Sequence, residues 1–159
     1  MWFILNPLSK EELAQFATCL TKYSDEFIIH QLLQLQAGLR VEEACTFPVA
    51  SIEKPDPSTN RYEVEIGPSN GVQTKFNKTR KVEIPFLLMQ RMYYYNISER
   101  RFKRAQKTDQ KHTYLLLNNR GMPFSSNNIQ QYFRRIRKDI KDKYKTSFNH
   151  RTHDLRATY

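Results

Sequence analysis

Apolar residues recur with helical spacing in the first quarter of the chain, where two helices are predicted. Ser9 followed by Glu12 is a capping-box signal, which opens the first helix. The second periodic segment covers residues 25–37, and Gly38 can end it because glycine readily adopts the left-handed backbone conformation. Arg40 is therefore expected just beyond a helix end, on a short connection.

Three segments in the next part of the chain are typical of short strands. They cover residues 46–52, 61–66 and 81–84, and residues 61–66 show the alternation of polar and apolar side chains that marks a half-buried strand. A proline-containing loop, residues 53–60, separates the first two strands, and a long turn separates the last two. This pattern predicts a small antiparallel sheet of three strands.

The second half of the chain again predicts helices. One begins at Pro85, and a basic helix is capped by Ser98. Ser125 or Ser126 opens a long helix, whose apolar positions recur at steps of three and four: Ile129, Tyr132, Phe133, Ile136 and Ile140. Its other face is basic and carries Arg134, Arg135, Arg137, Lys138, Lys141 and Lys143. The fold class is therefore α+β, a mainly helical domain with a small three-stranded antiparallel sheet.

Length and charge fit a single domain that binds a polyanion. The 159 residues are enough for one ordinary core, so residues 1–159 are treated as one domain. The first 46 residues hold three basic and six acidic side chains, and the remainder holds 23 and 10. Nucleic acid is the natural partner for such a surplus, because each phosphate contact releases condensed counterions. A basic surface that only keeps the domain in solution explains the charge equally well.

The cysteines and the apolar runs argue against several other classes of protein. Cys19 and Cys45 occur without a CxxC motif, so we expect buried free thiols in a reducing cytosol rather than disulfides or a zinc site. Apolar runs such as residues 2–5 and 115–117 are far shorter than the roughly 20 residues that span a bilayer. No membrane contact and no signal peptide are predicted.

Four residues in a fixed order carry the candidate chemistry. Arg40 lies in Gly38-Leu39-Arg40-Val41-Glu42-Glu43, Lys75 lies in the turn between the last two strands, and His153-Asp154-Leu155-Arg156 comes last. Guanidinium groups suit a phosphodiester under attack, because they stay charged and their forked donors match the phosphate oxygens. A lysine with a lowered pKa can protonate the leaving oxygen, and a histidine can accept the proton of the nucleophile.

In this order the motifs resemble the catalytic domain of the tyrosine recombinases, the phage integrase family. The resemblance covers about residues 8–158 and includes the turn at residues 119–123 before the long helix. It implies site-specific DNA recombination, by cleavage and rejoining through a 3′-phosphotyrosyl intermediate, without a metal or other cofactor. It also implies double-stranded DNA as partner, self-assembly of the full-length protein as a tetramer on DNA, and a bacterial or phage protein of the cytoplasm, associated with the nucleoid.

The resemblance assigns a role to each of these residues. Arg40 and Arg156 would clamp the scissile phosphate, Lys75 would be the general acid, and His153 would be the histidine of the His-x-x-Arg motif. Glu43 matches the supporting acidic residue three positions after the first arginine. Further basic side chains are expected to contact DNA: Lys78, Arg80, Arg134, Arg135 and Lys138.

Each of these assignments has a simpler alternative. Arg40 and Glu43 are at helical spacing and could form only a surface ion pair, worth a few tenths of a kcal/mol. Lys78 competes for the role of general acid, and Lys75 itself could be a solvated turn residue. His150 and His153 could be a metal-binding pair, but no third and fourth ligand occur at a suitable spacing.

In the family, the nucleophilic tyrosine follows the His-x-x-Arg helix, and a DNA-clamping domain precedes the catalytic domain. Tyr159 lies three residues after Arg156 on the same predicted helix, where an aromatic side chain usually packs into the core. We therefore expect that the nucleophile and the clamping domain lie outside these residues. A DNA-binding module that never cleaves and an enzyme like type IB topoisomerase are the alternative functions.

Overall fold

A computed structural model describes residues 6–68, 71–72, 74, 78–109 and 113–158 of the chain. The elements follow in the order α1 (Lys10–Leu20), α2 (Asp25–Ala37), α3 (Val41–Cys45), β1 (Arg61–Ile66), β2 (Arg80–Pro85), α4 (Phe86–Asn96), α5 (Glu99–Ala105), α6 (Ser126–Tyr144) and α7 (Asp154–Thr158). The predicted fold class, a mainly helical domain with a small antiparallel sheet, is confirmed.

The helix ends lie where the capping signals predicted them. At the start of α1, Glu12 N–H donates to the Ser9 hydroxyl over 3.1 Å, and Ser9 N–H donates to the Glu12 carboxylate over 2.9 Å. Gly38 ends α2 in the left-handed conformation, with φ of 70°, and its N–H returns to the last turn of the helix. Ser98 and Ser125 cap α5 and α6 in the same way as Ser24 caps α2.

The sheet has two strands within the described residues rather than the predicted three. Strands β1 and β2 are antiparallel, with Arg61 opposite Pro85 and Ile66 opposite Arg80. The predicted strand at residues 46–52 instead makes one isolated bridge, between Pro48 and Tyr114, and then a 3-10 turn at Val49–Ser51. Two backbone hydrogen bonds of 2.8 Å flank the bridge, from Val49 N–H to the carbonyl of Thr113 and from Leu115 N–H to the carbonyl of Phe47. The prediction of a strand over residues 46–52 was wrong because the chain enters the 3-10 turn directly after Pro48, which ends the pairing.

Helix α2 occupies the centre of the domain and packs against α3, α4, α7 and β2. Helix α6 packs on α1 through the apolar stripe that its sequence predicted, of which Ile129, Phe133, Ile136 and Ile140 are buried. A tilted aromatic pair adds to this contact, since the ring centroids of Phe16 of α1 and Phe133 are 5.8 Å apart. The basic face of α6 is thereby turned outward.

Several arginines of α5 are used inside the fold. Arg100 donates two hydrogen bonds to the buried carboxylate of Glu26, at 2.8 and 2.9 Å, and Arg104 lies 3.2 Å from the same group. Burial alone would raise the pKa of Glu26, but the hydrogen bonds from Arg100 and the charges of Arg104 and Arg100 bring it below its ordinary value. Arg101 donates to the carbonyl groups of residues 114 and 115. Part of the basic surplus is therefore structural.

Cys19 and Cys45 are buried free thiols, as predicted, and burial raises the pKa of Cys45 to about 12. Such a thiol stays protonated at neutral pH and is unreactive. Among the described residues, no helix combines the length and the apolar character that a membrane crossing requires.

His30 joins α2 to the start of α3 from a fully buried position. Its Nε2 lies 3.0 Å from the carbonyl oxygen of Val41, to which it donates, and its Nδ1 accepts from the Gln31 side chain at 3.0 Å. Burial lowers the pKa of His30 to about 4, against the smaller raising effect of the hydrogen bond to Val41. The imidazole is therefore neutral at physiological pH, with its proton on Nε2.

This histidine predicts a pH dependence of stability. Between pH 6.5 and about 4 the unfolded chain binds a proton that folded His30 does not, so stability falls as the pH falls through this window. Urea unfolding should show a loss of about 2 kcal/mol from this residue between pH 7 and pH 5. The His30→Gln variant keeps an amide donor for Val41 and should show a flatter pH profile. Equal profiles for the two proteins would contradict the assignment.

Candidate functional site

A short segment, residues 38–41, carries Arg40 and is held at three points. The N–H of Arg40 donates to the Glu43 carboxylate over 2.8 Å. The carbonyl oxygen of Gly38 accepts a hydrogen bond of 2.9 Å from Nε of Arg156. The third anchor is the histidine bond to the carbonyl of residue 41 described above. The backbone that positions Arg40 is therefore fixed without any ligand.

Glu43 is a buried carboxylate, with a side chain 1% exposed. Arg80 at the start of β2 approaches it with both terminal amino groups, at 2.5 and 2.6 Å. Burial would raise the pKa of Glu43, but the hydrogen bonds from Arg80 and from the Arg40 amide lower it overall. The alternative of a surface ion pair with Arg40 does not fit, because the carboxylate is buried and accepts the Arg40 backbone amide rather than its guanidinium group.

Arg40, Arg80 and Arg156 form a cluster of positive charge. Burial and repulsion from the other two arginines lower the pKa of Arg156, partly offset by attraction to Glu43. Arg156 and Arg80 line one open cavity of about 510 Å³, together with Gly38 and Lys81. Guanidinium groups remain protonated in proteins, so their convergence here favours an anion. The structure therefore brings together the first and last arginines predicted from the sequence.

His153 faces a different cavity. It lies just before α7, and it lines a cavity of about 450 Å³ with Arg134, Arg137 and Arg151. Burial and the charge of Arg151 lower the pKa of His153, while Asp154, 3.9 Å away, opposes them. The cavity that Arg156 lines does not have His153 in its wall. The histidine and the arginine of the His-x-x-Arg motif thus line two different cavities.

A histidine that we considered only as a metal ligand anchors α7. His150 is buried, and its two ring nitrogens lie 3.2 Å from the Asp154 carboxylate and 2.9 Å from the Glu12 carboxylate. The Asp154 carboxylate also accepts the N–H of Arg151 at 3.0 Å. Burial would raise the pKa of Asp154, but these hydrogen bonds lower it. The spacing of four residues between His150 and Asp154 was the local signal that could have indicated this pair.

The basic face of α6 is open to solvent, as predicted. Arg134, Arg135 and Lys138 are exposed, and Arg135 lies 5.4 Å from the centroid of the Tyr132 ring. Arg137 differs from them, since it donates to the backbone carbonyl of His150 over 3.0 Å. Lys78 is exposed before β2, whereas Arg80 is bound to Glu43.

Two residues discussed from the sequence, Lys75 and Tyr159, lie outside the described residues. The described part of the chain contains no group of three or more histidine, cysteine or acidic side chains that could hold a metal ion.

Comparisons with known proteins identify the family and the fold. A family model described as the phage integrase family matches residues 7–159. The fold is similar to a Tn1549 transposon integrase in complex with a circular intermediate DNA (TM-score 0.71, 15% identity, covering 99% of this chain and 52% of that one). It is also similar to the lambda integrase bound to DNA, with a TM-score of 0.66 and 15% identity over 99% of this chain and 51% of that chain.

The XerH site-specific recombinase bound to a palindromic difH substrate is a third similar structure, with a TM-score of 0.65 and 17% identity over 94% of this chain and 39% of that chain. The chain thus spans about half or less of each of these neighbours. A comparison with curated protein sequences found no match. Because the family model covers nearly every residue, and the fold agrees with it, the chain belongs to the phage integrase family, the tyrosine recombinases.

Proposed function

We propose that the chain belongs to the catalytic domain of a site-specific tyrosine recombinase, which cleaves and rejoins duplex DNA through a 3′-phosphotyrosyl intermediate. The observation that carries the proposal is that Arg156, from the far end of the chain, donates to the carbonyl of Gly38, two residues before Arg40, and lies close enough to Arg40 for the two charges to repel. Family membership supports it, and so do the DNA complexes of the three similar structures.

The two arginines would bind the nonbridging oxygens of the scissile phosphate. Charge grows on these oxygens during attack, so fixed guanidinium donors stabilise the transition state more than the ground state. Their arrangement can supply the stabilisation that metal ions give in other phosphoryl-transfer sites. Lys75 would protonate the leaving 5′ oxygen, and His153 would accept the proton of the nucleophile or hold an oxygen of the phosphate.

The exposed basic face of α6 would hold the duplex beside this site. Arg134, Arg135 and Lys138 point away from the apolar stripe, so they can reach backbone phosphates without disturbing the core. His153 and Arg156 are three residues apart in the chain, so one DNA strand would contact both of them although they line different cavities. We further propose that the full-length protein assembles as a tetramer on DNA, in the cytoplasm of a bacterium or in a phage-infected cell.

The proposed DNA contacts predict the affinity of this chain and its salt dependence. Duplex DNA should bind with a Kd of about 10⁻⁴ to 10⁻⁶ M at physiological salt, measured by fluorescence anisotropy. Lys138→Ala should lower the slope of log K against log salt by about 0.9, the value of one phosphate contact. Lys22→Ala, an exposed lysine at the end of α1, is the matched control and should leave the slope unchanged. Binding that does not respond to salt would remove DNA from the proposal.

The catalytic roles are separable in the full-length natural protein. Arg40→Ala and Arg156→Ala should each slow cleavage by on the order of 10²- to 10³-fold, as loss of one oxyanion donor does. Lys75→Ala should also slow cleavage, but a substrate with sulfur in place of the 5′ bridging oxygen should restore its rate, because sulfur leaves without protonation.

The arginine variants should not be rescued by the sulfur substrate. Lys78→Ala is the control for the acid and, at saturating DNA so that its predicted DNA contact does not limit binding, should cleave the oxygen substrate at the natural rate. Rescue of Lys78→Ala instead of Lys75→Ala would show that the acid is Lys78, and equal rescue of all variants would contradict a general acid. A full-length protein that forms no covalent adduct on a nicked substrate would favour a DNA-binding module that never cleaves.

A further inference from the structure

We propose that Arg80 is a positioning residue, which keeps the buried carboxylate of Glu43 from capturing the phosphate-binding arginines, and that it does not itself bind DNA. This inference rests on the proposed function, in which Arg40 and Arg156 hold the scissile phosphate. It changes the role that the sequence predicted for Arg80, which was a direct contact to DNA.

Both carboxylate oxygens of Glu43 already accept hydrogen bonds, so little of the carboxylate remains for another cation to bind. Oε2 accepts from one amino group of Arg80, and Oε1 accepts both from the other amino group and from the backbone N–H of Arg40. The carboxylate side chain is 1% exposed and that of Arg80 is 32% exposed. A bidentate pair of this kind fixes both side chains. Its two partners come from the start of α3 and the start of β2.

The charges nearby explain why such a pair is needed. A buried carboxylate without a partner is strongly unfavourable, so it recruits whichever cation can reach it. Arg40 and Arg156 both interact electrostatically with Glu43 already. Without Arg80, the carboxylate would attract one of these two guanidinium groups and neutralise it. The phosphate site would then lose a donor, even though neither Arg40 nor Arg156 had been changed.

The pair also links two parts of the proposed site. Arg80 is the first residue of β2, directly after the segment that joins the two strands and contains Lys75 in the sequence. Glu43 lies in α3, whose N-terminal residue follows Arg40. Holding Arg80 on Glu43 therefore fixes the end of the inter-strand segment relative to the backbone of Arg40.

The decisive comparison is between the natural sequence and the double variant Glu43→Gln/Arg80→Met, which has the same formal net charge. Replacement of both partners of a buried pair is often tolerated, so this variant is expected to fold. If Arg80 only positions its neighbours, the double variant should bind duplex DNA with unchanged affinity and salt slope. If Arg80 contacts a phosphate, the slope should fall by about 0.9 and the affinity by on the order of tenfold at 0.1 M salt. That result would overturn the proposal.

The single variant Arg80→Met tests the capture itself in the absence of DNA. In the natural chain the ¹H–¹⁵N signal of Arg156 Nε reports its hydrogen bond to Gly38. In Arg80→Met the Nε signal of Arg40 or Arg156 should shift, because one of these side chains turns to Glu43. In the double variant both signals should have the same positions as in the natural chain. Unchanged signals in Arg80→Met would overturn the proposal. Because this measurement uses no DNA, it distinguishes a failure of this inference from a failure of the proposed function.

Discussion

The buried carboxylate of Glu43 determines how positive charge is arranged at this site. It accepts the backbone amide of Arg40 and both amino groups of Arg80, so a single side chain joins α3 to the sheet. Glu43 is negative and solvent-excluded, which allows three arginines to lie close together without forcing the fold apart. The proposed phosphate site therefore depends on an acidic residue that is itself excluded from solvent.

The basic residues of the chain fall into two groups, those that bind groups within the fold and those that are exposed to solvent. Arg100, Arg101 and Arg104 hold carbonyl or carboxylate groups within the fold, and Arg137 holds the backbone at His150. The exposed group includes the residues of α6 that lie opposite its apolar stripe: Arg134, Arg135, Lys138 and Lys143. Net charge alone therefore overstates the surface that is available to DNA, and the distribution of partners is the more informative quantity.

Local signals in the sequence were sufficient for some features and not for others. The ends of α1 and α2 were predictable because Ser9, Ser24 and Gly38 act within one helical turn. The third strand was predicted wrongly, since the pattern of apolar residues at 46–52 does not reveal the 3-10 turn that ends the pairing after one bridge at Pro48. The Glu43–Arg80 pair spans 37 positions and the contact of His150 with Glu12 spans 138, so no spacing rule could reveal them. The arginines of the site were found by the order of their motifs, but their buried supports were visible only in the fold.

Hydrogen exchange at the backbone amide of Arg40 in the free chain probes whether the site is formed before DNA arrives. The amide donates to a buried carboxylate, and its segment is also held through Gly38 and Val41. Its exchange, followed by NMR, should therefore be protected to a degree similar to the buried amides of α2, and DNA should change it little. Exchange at the rate of an unstructured, solvent-exposed amide would show instead that the segment is ordered only by its ligand.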